Sequence, residues 1–86
     1  MRTKQFTAQA SLNGEVVVTS TVAGRKAERD NQREVLARAS ALGCRFMRVQ
    51  AVGATTWAYY HIQGEEADLI WRTDPLHPEA VASFPS

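Results

Sequence analysis

An α+β fold, an antiparallel sheet of about five strands with one helix packed on one face, is predicted by three observations on this 86-residue chain. Two alternating apolar stretches flank the pair Asn13-Gly14, the strongest short-range signal for a β-hairpin. One window ending at Gly43 carries apolar residues at helical spacing, as an amphipathic helix requires. Three further strand-like runs follow, parted by short Gly-containing turns, which reads as a meander. The order is strand, strand, helix, strand, strand, strand (ββαβββ), within a single domain, residues 1–86, whose core is thin at this length.

The hairpin occupies residues 1–23. Phe6, Ala8, Ala10 and Leu12 alternate with polar residues and share one face of its first strand. Two registers are open. A two-residue turn sets Leu12 opposite Glu15 and Ala10 opposite Val17. A three-residue loop, Asn13 to Glu15, sets Leu12 opposite Val16, Ala10 opposite Val18 and Phe6 opposite Val22; it gathers the apolar residues and is preferred, although a bulge does the same.

A helix is expected over 31–42. Asp30 or Asn31 can cap its first amides, Glu34 completes a capping box with Asn31, and Gly43 supplies a left-handed exit. Val35, Leu36, Ala39 and Leu42 form its apolar stripe, while Arg33, Glu34 and Arg38 face away. The preceding "GRKAER" (24–29) is open between loop, short strand and early helical turn.

Residues 44–72 form the three-stranded meander, with strands near 44–52, 55–63 and 66–72. Pairing Val52 with Thr55 and Gln63 with Glu66 puts Met47, Val49, Ala51, Ala58, Tyr60, Ile62, Ala67, Leu69 and Trp71 on the core face. The opposite face then shows Phe46, Arg48, Gln50, Trp57, Tyr59, His61, Asp68, Ile70 and Arg72. On it Tyr59 sits between Arg48 and Ile70, Trp57 beside Arg72, and His61 beside Asp68. The Pro-containing tail, 73–86, cannot be a central strand. Pro78 and Glu79 can open a helical turn through Ala82, with Leu76, Val81 and Phe84 available to dock.

An apolar fraction of 44% and a charged fraction of 22% are those of an ordinary globule. No run reaches the roughly 18 apolar residues of a bilayer span, and "MRTKQFTAQA" lacks the apolar block of a signal peptide. A cytoplasmic protein without membrane contact is expected. The single Cys44 is expected to be a buried thiol. The net charge of +1 is the sum of unequal halves: residues 1–48 hold nine Lys and Arg against four acids, residues 49–86 one Arg against five. The acidic second half makes nucleic acid a secondary partner rather than the leading one.

The two histidines and the thiol match no metal-binding spacing. His61 beside Asp68 lacks a nucleophile in register to complete a triad, and the glycines stand singly rather than in a phosphate-cradling loop. No enzyme activity, cofactor or metal is expected. What remains is a sheet face carrying Arg, Trp and Tyr, residue types that stack on bases or anchor protein interfaces, and a basic cluster, Arg25, Lys26, Arg29 and Arg33, running into the helix. From these surfaces the candidate partner-binding residues are Arg33, Arg38, Arg48, Trp57, Tyr59 and Arg72.

The segment "CRFMRVQAVGATTWAYY", through Cys44, Met47, Arg48, Val49, Val52, Trp57, Ala58 and Tyr59, with Trp71 beyond it and an amphipathic helix before it, resembles the second half of small phage-encoded anti-CRISPR proteins that inhibit type I surveillance complexes. The resemblance implies a small protein without enzymatic activity that docks on the subunits lining the guide RNA and blocks target DNA. Leu36 and Ala41 stand where that family resembles Lys, so no contact residue is carried over from it. The alternative function is a small nucleic-acid-binding module using the basic and aromatic sheet face.

Overall fold

The computed structural model describes residues 3–72 and 78–85, the side chains of 68–72 excepted. Seven elements follow in order: β1 (Gln5–Leu12), β2 (Glu15–Ala23), α1 (Arg25–Leu42), β3 (Phe46–Ala51), β4 (Ala58–Gln63), β5 (Glu66–Arg72) and α2 (Pro78–Ala82). The strands form one antiparallel sheet in the order β2-β1-β3-β4-β5, the predicted α+β class. Because β2 and β3 both run antiparallel to β1, they are parallel to each other, and α1 is the crossover between them. It packs chiefly over β1 and β2.

The β1–β2 hairpin resolves its two registers by using part of each. The turn has two residues, Asn13 and Gly14, both at positive φ (55° and 82°), as a tight hairpin turn demands. Leu12 therefore opposes Glu15, yet Ala10 opposes Val18 and Phe6 opposes Val22. A bulge reconciles them, since the pairing steps from Ser11↔Val16 to Ala10↔Val18, leaving Val17 as the extra residue.

Helix α1 starts six residues earlier than the predicted 31. Its N-cap is Gly24, with no side-chain cap hydrogen bond, and the first helical bond runs from Glu28 N–H to Gly24 O at 2.9 Å. Asp30 and Asn31 are thus interior residues, not caps. Asn31 is buried and its Nδ2 donates to the Ser20 carbonyl at 3.1 Å, fastening the helix to β2. The exit is as predicted. Gly43 adopts φ 82°, its N–H donates to Ser40 O, and Cys44 N–H donates to Ala39 O, the paired bonds of a Schellman motif. Ser40 Oγ also bonds the Gly64 carbonyl, tying the helix end to the β4–β5 turn.

The main core lies between α1 and the sheet, where Val35, Ala39 and Cys44 meet Ala8, Ala10, Val18, Met47, Val49 and Ile62. Ala8 and Ala10 are small enough to let the helix approach β1 closely. Leu42, expected in the apolar stripe, is half exposed at 50%, beside Val17 and Thr19 of β2. In the meander, Met47 opposes Tyr60 and Val49 opposes Ala58, as predicted. Val52 does not pair with Thr55; its N–H donates to Gln5 O at 2.9 Å, so β3 continues against β1 and a longer loop leads into β4. Gln63↔Glu66, His61↔Asp68 and Tyr60↔Leu69 pair as predicted, but a register shift then brings Tyr59 opposite Trp71 and Ala58 opposite Arg72. Ile70 is the residue skipped, so Tyr59 has Trp71 as its neighbour.

Two measurements test this core. Replacing Asn31 with Asp sets a carboxylate against the Ser20 carbonyl; unfolding in urea should show a loss of about 2 kcal/mol, against about 1 kcal/mol for Asn31→Ala. Burial pushes the Cys44 thiol above its ordinary value of 9.0, outweighing a backbone hydrogen bond that pulls the other way. The folded state therefore holds the proton more tightly than the unfolded one. The Cys44 contribution is fully present below the unfolded pKa and is lost as pH rises through the folded one. A Cys44→Ala variant should lack this alkaline decline, and native Cys44 should resist thiol reagents that label it after unfolding.

Candidate functional site

Alternation along β3 and β4 places Phe46, Arg48, Tyr59 and His61 on the face of the sheet away from α1, and the chain returns to cover them. Helix α2 and the residue two beyond it, Phe84, lie over β4, where Ala80 and Phe84 join Phe46 and Tyr59 in a second apolar cluster flanked by Val16 and Trp57. The Tyr59 and Phe84 rings meet edge to face, centroids 5.8 Å apart at 63°, and His61 lies 5.4 Å from Phe46. Outside the cluster, Arg45 Nη1 reaches Glu79 Oε1 at 2.7 Å, clasping α2 to the start of β3. Of the tail residues expected to dock, Phe84 does so and is 5% exposed, Val81 points outward at 42%, and Leu76 lies outside the described residues.

Arg48 is the charged centre of this arrangement. Its guanidinium carbon sits 4.0 Å from the Trp57 ring centroid and 4.4 Å from that of Phe84, between two rings. Its Nε and Nη2 both donate to Gln9 Oε1, at 2.9 and 2.8 Å. Among the described residues no carboxylate pairs with Arg48. Its charge is held by one amide dipole and two π faces, an arrangement worth about 1 to 2 kcal/mol when partly desolvated. Among the described side chains, Trp57 has Arg48 as its cation; the expected contact with Arg72 falls on a side chain outside the described residues.

The six candidate residues do not form one site. Arg48, Trp57 and Tyr59 converge beneath α2. Tyr59, 6% exposed, is a core residue of the second cluster and presents no ring to a partner while α2 is seated; this corrects the expectation of an open aromatic face. The physical reason is that both faces of the sheet are apolar while α1 covers only one. Arg38 stands on the β2 flank of α1 and pairs with Glu34 at 3.0 Å, with both side chains exposed. Arg33 lies on the other flank. Arg72 ends β5 opposite Ala58, and its side chain lies outside the described residues. Gln9 and Phe84 complete the Arg48 cage, although neither belongs to the candidate set; only the β1–β3 pairing Gln9↔Arg48 could have flagged Gln9.

Among the described residues, a different surface stays open. Since α1 covers β1 and β2, a groove runs beside it over β3 and β4, made of adjoining hollows of about 300 and about 330 Å³. Tyr60, Ala67 and Leu36 give it an apolar lining over the buried Met47, and Arg29 and Arg33 stand at its mouth. Lys4 and Arg25 continue the basic rim at the other end, with Glu28 among them; Glu28 accepts from Gln32 Nε2 at 3.1 Å. Among the described residues, no three His, Cys, Asp or Glu side chains come together as metal ligands, and no helix is long and apolar enough to cross a membrane.

If the Tyr59 face is core, Tyr59→Ala should lower the free energy of unfolding by about 3 kcal/mol, while Arg33→Ala should change it by less than about 0.5 kcal/mol, both read from urea titrations. Compared with protein-family models, curated proteins and solved structures, the chain matches none.

Proposed function

We propose that this chain is a binding protein without enzymatic activity, an inhibitor that docks on a type I CRISPR surveillance complex in the host bacterial cytoplasm and blocks target DNA from reaching its groove. The resemblance of Cys44–Tyr60 and Trp71 to phage-encoded anti-CRISPR proteins supports the partner. The observation that carries the reading is the open groove beside α1. It joins an apolar floor at Tyr60, Leu36 and Ala67 to a rim of Lys4, Arg25, Arg29 and Arg33, the pairing of anchor surface and charge that protein interfaces use. Positive side chains in the first turn of α1 oppose the helix dipole, a small cost in stability that an acidic docking surface offsets.

The contact residues in this reading are Arg29 and Arg33 rather than Trp57 and Tyr59. The alternative, a module that stacks bases on the aromatic sheet face, has that face roofed by Ala80 and Phe84.

The protein should co-elute with a purified type I surveillance complex and lower that complex's affinity for target DNA in a gel-shift assay. The double variant Arg29→Glu with Arg33→Glu should weaken co-elution by at least tenfold with an unchanged melting temperature. Failure to bind any type I complex would remove the proposal. Binding of bare oligonucleotides with a steep salt dependence would favour the alternative.

A further inference from the structure

We infer that the groove beside α1 receives a short acidic α-helix of the partner, laid along a row of arginines with its apolar side on Tyr60, Leu36 and Ala67. The inference rests on the docking reading of this groove and adds the chemistry of what docks. Arg25, Arg29 and Arg33 fall four residues apart, so they form one ridge on α1. At 1.5 Å per residue that ridge runs about 12 Å, a little over two turns. Two hollows follow it, one bordered by Arg25 and Arg29 together with Lys4, the next by Arg29 and Arg33 over Tyr60, Leu36 and Ala67.

Charge names the occupant's sign. Lys4, Arg25, Arg29 and Arg33 are all exposed, and among the described residues none of them belongs to an ion pair; the pairs present are Arg38 with Glu34 and Arg45 with Glu79. The one acid bordering the same hollows, Glu28, accepts from Gln32. Carboxylates at i and i+4 on an entering helix stand as far apart as Arg29 and Arg33 do, and a guanidinium can meet each with two N–H groups. A phosphate backbone would satisfy the same charge but leave the apolar floor facing water. An acidic amphipathic segment covers both.

The sheet names its conformation. The groove lies on a sheet face, where β3 and β4 each pair with a strand on both sides. An extended segment laid there would bury its own N–H and C=O groups with no backbone to receive them. A helix satisfies them internally and presents side chains alone. The bond from Ser40 Oγ to the Gly64 carbonyl closes the groove at the carboxy-terminal end of α1, so the space suits two or three turns entering from the Lys4 end rather than a helix running the length of the sheet.

Two labelled amphipathic peptides of about 15 residues test the inference, each with a leucine stripe, one carrying glutamates at i and i+4 along its flank and the other lysines. Affinity is read by fluorescence anisotropy and location by amide NMR. The glutamate peptide should bind about tenfold tighter than the lysine peptide, with shifts centred on Gln32, Leu36, Tyr60 and Ala67. Arg29→Glu with Arg33→Glu, both at exposed positions, should reverse the preference at an unchanged melting temperature. Equal affinity for the two peptides, no binding of either up to about 1 mM, a preference that survives the double variant, shifts centred elsewhere, or a single-stranded oligonucleotide held at these residues more tightly than the glutamate peptide would each overturn it. Peptide binding without co-elution with a type I complex would remove the CRISPR partner and leave this inference standing; co-elution without peptide binding would do the opposite.

Discussion

The pairing of β1 with β3 is the constraint on which the rest of the molecule depends. It runs from Phe6↔Ala51 to Ser11↔Phe46, joining the amino-terminal hairpin to the meander across the whole length of α1. Once β1 lies between β2 and β3, α1 must cross over β1, and Ala8 and Ala10 are the residues it crosses. The same pairing sets Gln9 beside Arg48, so the cation on the far face of the sheet depends on a contact made at its centre. Loss of this ladder would leave a hairpin and a three-stranded meander with no shared core.

A sheet with two apolar faces must be covered twice, and the chain uses unequal means. The α1 side is covered by an 18-residue helix over the hairpin half, leaving the meander half as a groove. The other side is covered by five helical residues and one phenyl ring over the meander half. There the hairpin half is polar, with Thr7 bonded to Thr21 at 2.8 Å and Gln9 near Thr19 at 3.4 Å. The two covers are thus staggered, and each leaves the other half of its own face uncovered. Arg48 stands at the boundary between the polar and the covered halves, which is why its neighbours are an amide on one side and rings on the other.

Much of the strand layout was legible in the residues, because period-two alternation is strong wherever one face is buried. Met47↔Tyr60, Val49↔Ala58 and His61↔Asp68 all follow from it, and the glycine at 43 announces the helix exit. The helix start was hidden because Gly24 caps with backbone alone, while Asn31 and Glu34 imitate a capping box inside the helix. The bulge at Ile70 was hidden, and the one in the hairpin was an open alternative without a position, for another reason: a one-residue step exchanges faces, and alternation alone cannot say which strand takes it. In the candidate site the outward direction of Arg48, Trp57 and Tyr59 could be read correctly, but not their covering, since nothing local in the three-proline tail reveals where Phe84 will land.

The separation of Phe84 from the strands it covers has its own consequence. It reaches Phe46 and Tyr59 from a segment that follows every strand, so lifting that segment breaks no strand pairing and bares both residues on one side of an otherwise intact sheet. In that opened form the polypeptide displays sticky rings that the closed fold hides, and it is then that a chaperone has its best opportunity to engage it.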